Sequence, residues 1–220
     1  NNDYIGNFNS VMINNLIVNI IEKLGEGEKI TAIISIPEFL EGEYLTMVTR
    51  YGIIKRTLLK EFEYQRRGGK IAINLDEDDE LIFVRHTKGN ESLVIATREG
   101  NAVRFDENNV RSMGRGAHGV KGITLVGDDY VVGVAVVDDE KSLLTITENG
   151  VGKRTLFSDF RQMKNRGGRG VTCQNINEKT GKLASIAAVS EEDDILLITD
   201  EGTMIRTSVA SIPVHCRTAS

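Results

Sequence analysis

Thr49-Arg50-Tyr51-Gly52-Ile53-Ile54-Lys55-Arg56-Thr57 decides the fold, because the chain writes this stretch four times. It returns as Thr97-Arg98-Glu99-Gly100-Asn101-Ala102-Val103-Arg104-Phe105, as Thr147-Glu148-Asn149-Gly150-Val151-Gly152-Lys153-Arg154-Thr155 and as Thr199-Asp200-Glu201-Gly202-Thr203-Met204-Ile205-Arg206-Thr207. The turn glycines stand 48, 50 and 52 residues apart. A period of this size marks a propeller, solenoid or array, in which each unit buries its faces only against its neighbours. Asn149-Gly150 and Glu201-Gly202 supply the positive φ that tight hairpins need. Each copy also sets an arginine, Arg56, Arg104, Arg154 or Arg206, four residues after its glycine. A repeated charge on a repeated geometry is what a surface that meets a polyanion requires.

Outward from the hairpins, the third copy reads as four strands: Tyr130 to Val137, Ser142 to Glu148, Gly152 to Phe157 and, beyond a glycine-rich loop, Val171 to Ile176. The first of these recurs as Lys29 to Ile36, Glu80 to Thr87 and Leu183 to Ser190, so the repeat runs through almost the whole chain. Leu93 to Ala96, Leu143 to Ile146 and Leu196 to Thr199 are nearly continuous in apolar character, as strands covered on both faces are. Stacked blades would cover them. An all-β, propeller-like array of repeats of about 50 residues is therefore expected. With 220 residues and 40% hydrophobic content, the chain can fill the core of one such body, in approximate repeats 16–70, 71–121, 122–170 and 171–220. Two cysteines without metal-ligand spacing point to a reducing compartment. No apolar run approaches a membrane span and no signal peptide precedes the first repeat, so a soluble, monomeric, cytoplasmic chain without membrane association is expected.

A formal net charge of −5 argues against nucleic acid until its distribution is counted. Residues 50–70, 98–121, 150–170 and 202–220, running from each hairpin turn through the following loop, hold 20 of the 27 Lys and Arg but 6 of the 32 Asp and Glu. The acidic runs Asp76 to Glu80, Asp128-Asp129, Asp138 to Glu140 and Glu191 to Asp194 lie mainly in turns around the first strand. Equivalent positions in a repeat take equivalent places, so separation along the sequence becomes separation in space: one edge basic, the remaining surface acidic. Three glycine-rich loops carry basic flanks, Gln65-Arg66-Arg67-Gly68-Gly69-Lys70, Gly114-Arg115-Gly116-Ala117-His118-Gly119-Val120-Lys121-Gly122 and Arg166-Gly167-Gly168-Arg169-Gly170. Glycine lets backbone approach a phosphate while Arg and Lys neutralise it. The alternative reading is that these glycines merely turn the chain between blades. The predicted polyanion contacts are Lys55, Arg56, Arg66, Arg67, Lys70, Arg104, Arg115, Lys121, Lys153, Arg154, Arg166, Arg169 and Arg206.

Catalytic patterns fail one by one. Gly114-x-Gly116-x-x-Gly119 matches a dinucleotide fingerprint, but no helix pattern follows it. His86, His118 and His215 fall in different repeat contexts with no partners at ligand spacing, and Asp76 to Glu80 lacks the alternation of a calcium loop.

The third hairpin, the segment Val110 to Arg115 continuing to Gly119-Val120-Lys121-Gly122-Ile123, and Leu197 to Thr207 resemble the C-terminal domain of the bacterial DNA gyrase A subunit, over essentially all of the chain after about residue 16. The resemblance implies a β-pinwheel, a propeller-like disc whose blades exchange strands and whose basic perimeter wraps double-stranded DNA. The tail of the topoisomerase IV A subunit shares this architecture and is the alternative within the family. Also implied are a non-catalytic domain without cofactor, a parent enzyme that uses ATP and Mg2+ elsewhere, a cleaving tyrosine in a separate N-terminal domain, and a partner that is an ATPase subunit. Gln65 to Lys70 matches the family's Gln-Arg-Arg-Gly-Gly-Lys-Gly box except that Ile71 replaces the last glycine. The family's box sits in the first blade, whereas Ile30 to Ile36 and a blade remnant, Leu16 to Ile20, precede it here. It reads either as the box or as a box-like copy in a later blade. Against the family's usual six blades this chain shows four to five, and it is read as a fragment lacking the first blade and the end of the last; residues 1 to 15 match poorly. A protein-interaction scaffold with a basic rim and RNA binding through the Arg-Gly-Gly loops are the readings from other classes; aromatics at 5%, not interleaved with those loops, argue against base stacking.

Overall fold

The computed structural model describes residues 30–64 and 69–219. Among them run β1 (Tyr44–Thr49), β2 (Ile53–Leu58), β3 (Leu81–Thr87), β4 (Ser92–Thr97), β5 (Asn101–Asp106), β6 (Val120–Lys121) and β7 (Val131–Val136). The second half adds β8 (Ser142–Thr147), β9 (Gly152–Leu156), β10 (Gln162–Met163), β11 (Val171–Thr172), β12 (Leu183–Val189), β13 (Asp194–Ile198) and β14 (Met204–Ser208). The helical content of the described residues is a single 3-10 turn after each hairpin.

The repeated motif is the hairpin β1–β2, β4–β5, β8–β9 or β13–β14, and its chemistry is local. Each turn glycine has φ between +75° and +84° and donates its N–H to the carbonyl of the threonine three residues earlier. In three copies that threonine also accepts through its hydroxyl: Ile53 N–H to Thr49, Val151 N–H to Thr147 and Thr203 N–H to Thr199, at 3.1–3.2 Å. Thr-x-x-Gly is thus a turn cap made from both ends. At Gly100 a side chain is excluded twice over, by φ +78° and because a Cβ would sit 2.3 Å from the Gln174 carbonyl.

No sheet is completed by one repeat. The hairpin's first strand takes the strand that follows it in sequence, β3 on β1, β7 on β4 and β12 on β8, all antiparallel. Its second strand takes a short segment from beyond the next hairpin: β6 on β2, and β10 and β11 on β5. The parallel bridges Arg56 to Ser112 and Arg154 to Val214 repeat the pairing of Arg104 with Gln162. Strand exchange of this kind is the pinwheel. It corrects the grouping read from the third copy: Tyr130–Val137 and Val171–Ile176 flank the second hairpin, and only two residues of the latter, Val171–Thr172, form strand.

Successive sheets stack face to face. Leu93 and Ile95 point from β4 toward Val48 and Ile54 of the first sheet, while Val94 and Ala96 point the other way, toward Leu143, Leu183 and Ile186 of the third. This burial on both faces explains the unbroken apolar run. A third, smaller core joins Leu144 and Val189 to Val209 and Ile212. Leu196 to Thr199 departs from expectation: Leu196 and Ile198 are 55% and 61% exposed. Ile195 packs on the third core, whereas Leu196 and Ile198 face the other way, where no described sheet stacks on β13–β14. Residues 30–36, expected as a strand, form none, since their counterparts pair with a preceding hairpin and no described strand precedes them. Leu16 to Ile20, Lys29 and Gln65 to Gly68 lie outside the described residues.

Candidate nucleic-acid interface

The four hairpin arginines were expected on the surface, and the structure corrects this for two of them outright. Arg56 is 5% exposed. Its guanidinium stacks 4.2 Å from the centre of the Tyr44 ring, donates to Asn108 Oδ1 at 3.1 Å and pairs with Glu107 at 3.3 Å. Glu107 is itself fully buried, accepting from the Thr87 hydroxyl at 2.7 Å and the Glu91 N–H at 2.9 Å. Arg154, 7% exposed, donates through Nε to the Ile212 carbonyl at 2.8 Å. Arg104, half-buried, donates to the Phe157 carbonyl at 2.8 Å. In all three the acceptor lies in or beside the 3-10 turn that follows the next hairpin. The arginine is a clasp between repeats, bonded to protein oxygens and withdrawn from solvent. Arg206 alone is exposed, forked onto Asp194 Oδ2.

Lys55 and Lys153 are buried too, at 0% and 3% exposure. The Lys55 ammonium donates to the carbonyls of Ala72 and Arg115, and that of Lys153 to Cys216 at 3.1 Å, Arg217 at 2.8 Å and Ala219. Burial lowers both pKa values from the usual lysine range, opposed at Lys55 by the Glu61 carboxylate.

The remaining predicted residues come together along the loops, which dock on one another in sequence. Asn74 donates from its backbone to Ala117 and from its side chain to Gly116, joining the stretch after Lys70 to the second glycine-rich loop. Thr124 then bonds Gly168 and Gly167, and the Gly167 N–H returns to the Gly122 carbonyl at 2.7 Å, joining the second loop to the third. Arg166 fastens the same junction through the Asn109 and Lys121 carbonyls. Arg217 reaches on to the Thr172 carbonyl at 3.1 Å. The result is a continuous band of backbone along which Lys121 and Arg169 are exposed and Lys70, Arg115 and Arg166 half-exposed. Lys70 and Arg115 are steadied by Glu61, the first through its carbonyl, the second through a backbone N–H to its carboxylate. Gly69, at φ +71°, opens the band; the predicted contacts Arg66 and Arg67, with Gln65 and Gly68, precede it in sequence and lie outside the described residues.

Three exposed cations on this band escaped the sequence reading: Arg111, Arg161 and Lys164. Arg111 and Arg161 stand immediately before the residues paired with the hairpin arginines, and their shared offset of seven from Arg104 and Arg154 was the available signal. The acidic runs have a structural share. Asp79 and Asp129 are buried and accept the N–H groups of Tyr51 and Glu99 at the hairpin tips, both at 3.0 Å. His86 meets Glu43 at 2.7 Å, a carboxylate its sequence neighbours did not reveal. Among the described residues no three His, Cys, Asp or Glu side chains gather as metal ligands, and no helix is long and apolar enough to cross a membrane.

A family model, the DNA gyrase C-terminal domain, β-propeller, matches residues 43–88, 91–138, 141–190 and 193–220. Each match opens at or just before a hairpin. The DNA gyrase A subunit of Staphylococcus epidermidis is 43% identical over 206 residues, covering 92% of this chain, and that of Staphylococcus aureus is 42% identical over the same share. The chain spans 23% of the length of these curated relatives. Among solved structures, the C-terminal domain of a DNA topoisomerase IV superposes with a TM-score of 0.85 at 30% identity, covering 93% of this chain and 64% of that one. A DNA gyrase A C-terminal domain superposes at 0.81, again at 30% identity, covering 91% and 67%.

Proposed function

Since the chain belongs to the DNA gyrase C-terminal domain family, we propose that it is the DNA-wrapping domain of a bacterial DNA gyrase A subunit, bending duplex DNA against the band of docked loops. One observation carries this reading: loops from successive repeats are bonded into a single path, and the exposed lysines and arginines lie along it. Neutralising successive phosphates releases condensed counterions, which offsets a bending cost of about 1–6 kcal/mol for a site of some 20 to 30 base pairs. The phosphate contacts are Lys121, Arg166, Arg169, Lys70 and Arg115, joined by Arg111 and Arg161. Wrapping with a fixed hand presents a neighbouring segment to the breakage-reunion domain of the same polypeptide, and ATP and Mg2+ act there and on the ATPase subunit, in the cytoplasm. The curated relatives at 42–43% identity are gyrase A subunits, which favours gyrase within the pair.

Duplex binding titrated between about 50 and 200 mM salt tests the reading. A steep loss, indifferent to base sequence, is expected because counterion release is blind to sequence. A flat response sinks it in favour of a protein-binding rim, and tighter binding of RNA than of duplex DNA sinks it in favour of the loops as RNA ligands. Dyes at the ends of a duplex of roughly 40 base pairs should approach one another on binding if the DNA is bent.

A further inference from the structure

Lys55 and Lys153 cannot reach a phosphate, yet each carries a charge into the protein interior at a place where the fold does not need one. The hairpin register sets Lys55, Val103, Lys153 and Ile205 at one equivalent position, opposite Met47, Ile95, Thr145 and Leu197. Val103 fills that position as an ordinary core residue. Burying an ammonium costs free energy unless oxygens replace its water. Here the oxygens are mostly carbonyls of the donated loops, Arg115 at Lys55 and Cys216, Arg217 and Ala219 at Lys153; the Ala72 carbonyl, from the stretch after Lys70 in the same repeat, completes the set at Lys55. A loop outside the regular ladders has little intrinsic shape, most of all where Gly114 and Gly116 flank Arg115, and carbonyls converging on one cation impose one. Where valine stands in place of lysine, the loop is held differently, by the guanidinium of its own Arg166 and by Thr124.

We propose that Lys55 and Lys153 are positioning residues, whose buried ammonium groups gather the carbonyls of the next repeat's loop and so turn its basic side chains toward the bound polyanion. Resting on the DNA-binding reading, this assigns to two lysines a role opposite to phosphate contact: their charge faces inward and is felt through Arg115 and Arg217. Carbonyls aimed inward also remove partial negative charge from the face the polyanion meets.

The test uses the whole chain with Lys55→Met and Lys153→Met, which keep the length of the side chain and delete its charge. Amide hydrogen exchange of the free protein should show protection lost over residues 112–119 in the first variant and 214–219 in the second, with β1–β2 and β8–β9 unchanged. Duplex affinity should fall by about tenfold or more, and the salt slope by more than the ~0.9 that one lost phosphate contact accounts for. Retained loop protection overturns the proposal, as does lost protection with unchanged affinity; a slope change of ~0.9 with protection intact would make the lysine a direct contact. Should Lys55→Met not fold, Lys55→Val copies the residue that the second hairpin uses and decides the same question. A wild-type chain that binds no duplex removes the underlying reading, a result separate from any behaviour of the variants.

Discussion

Arg56 and Arg206 hold the same register in the first and last hairpins, opposite Thr46 and Leu196, and have opposite surroundings. Arg56 lies under a tyrosine ring, against a buried carboxylate and an asparagine from the next repeat. The Arg206 side chain is 73% exposed and reaches only Asp194 of its own hairpin. The repeat therefore dictates where an arginine stands on its strand, and the following repeat dictates what that arginine does. A side chain met by a donated segment becomes structure; one that is not stays in water.

The largest effect expected from this contrast is on stability. Arg56→Ala strands the Glu107 carboxylate in the interior, and a loss of about 3–5 kcal/mol is expected in denaturant unfolding, the range for a buried pair robbed of one partner. Arg206→Ala should leave the unfolding midpoint where it was, as exposed pairs generally do. Similar midpoints for the two variants would break the comparison. The apolar version comes next: Leu144→Ala, buried against Val189 and Val209, should cost about 2–5 kcal/mol, whereas Leu196→Ala, at the equivalent place on β13, should stay within about 0.5 kcal/mol.

Binding sharpens the same distinction. Lys121→Ala and Arg169→Ala, on the exposed band, should each lower the salt slope by ~0.9 while melting normally. Lys88→Ala and Lys141→Ala, set among acids, should leave it unchanged. Equal slopes for both groups would mean that total charge, without any path, drives binding.

The smallest effect is chemical. Burial pushes the Cys173 thiol up to about 12, so it stays protonated throughout the neutral range. Hydrogen bonds from Thr218 and Ala219, with Lys153 adding its charge, lower the exposed Cys216 from the usual thiol range, so its thiolate fraction at neutral pH is the larger. Iodoacetamide should modify Cys216 and spare Cys173 in the folded chain. Labelling of both at one rate would show that the core between the second and third sheets opens readily.

Hairpins and stacked sheets were readable because their causes are local: a threonine and a glycine three residues apart close a turn, and an apolar run such as Leu93 to Ala96 announces two covered faces. The fate of charge was not readable, because its causes are distant. Nothing around Arg56 in the sequence names Asn108, and nothing around Lys55 names Arg115; these neighbours arrive only when a segment from the next repeat lies along β2. Lys121 and Arg169 were legible as surface because they stand in glycine-rich loops rather than on apolar strands, and both are exposed. The same counting of basic residues promoted Arg56 and Arg154, in which the charge is internal, and passed over Arg111 and Arg161.

The donated segments also set a timetable. A ribosome releases β2 long before it releases β6, and β5 long before β10 and β11. Between those moments the emerging sheet presents a bare edge of unpaired N–H and C=O groups, the feature that recruits wrong partners. Each new repeat seals its predecessor and exposes its own edge in turn. The hazard travels down the nascent chain with the point of synthesis, always one blade behind the exit tunnel.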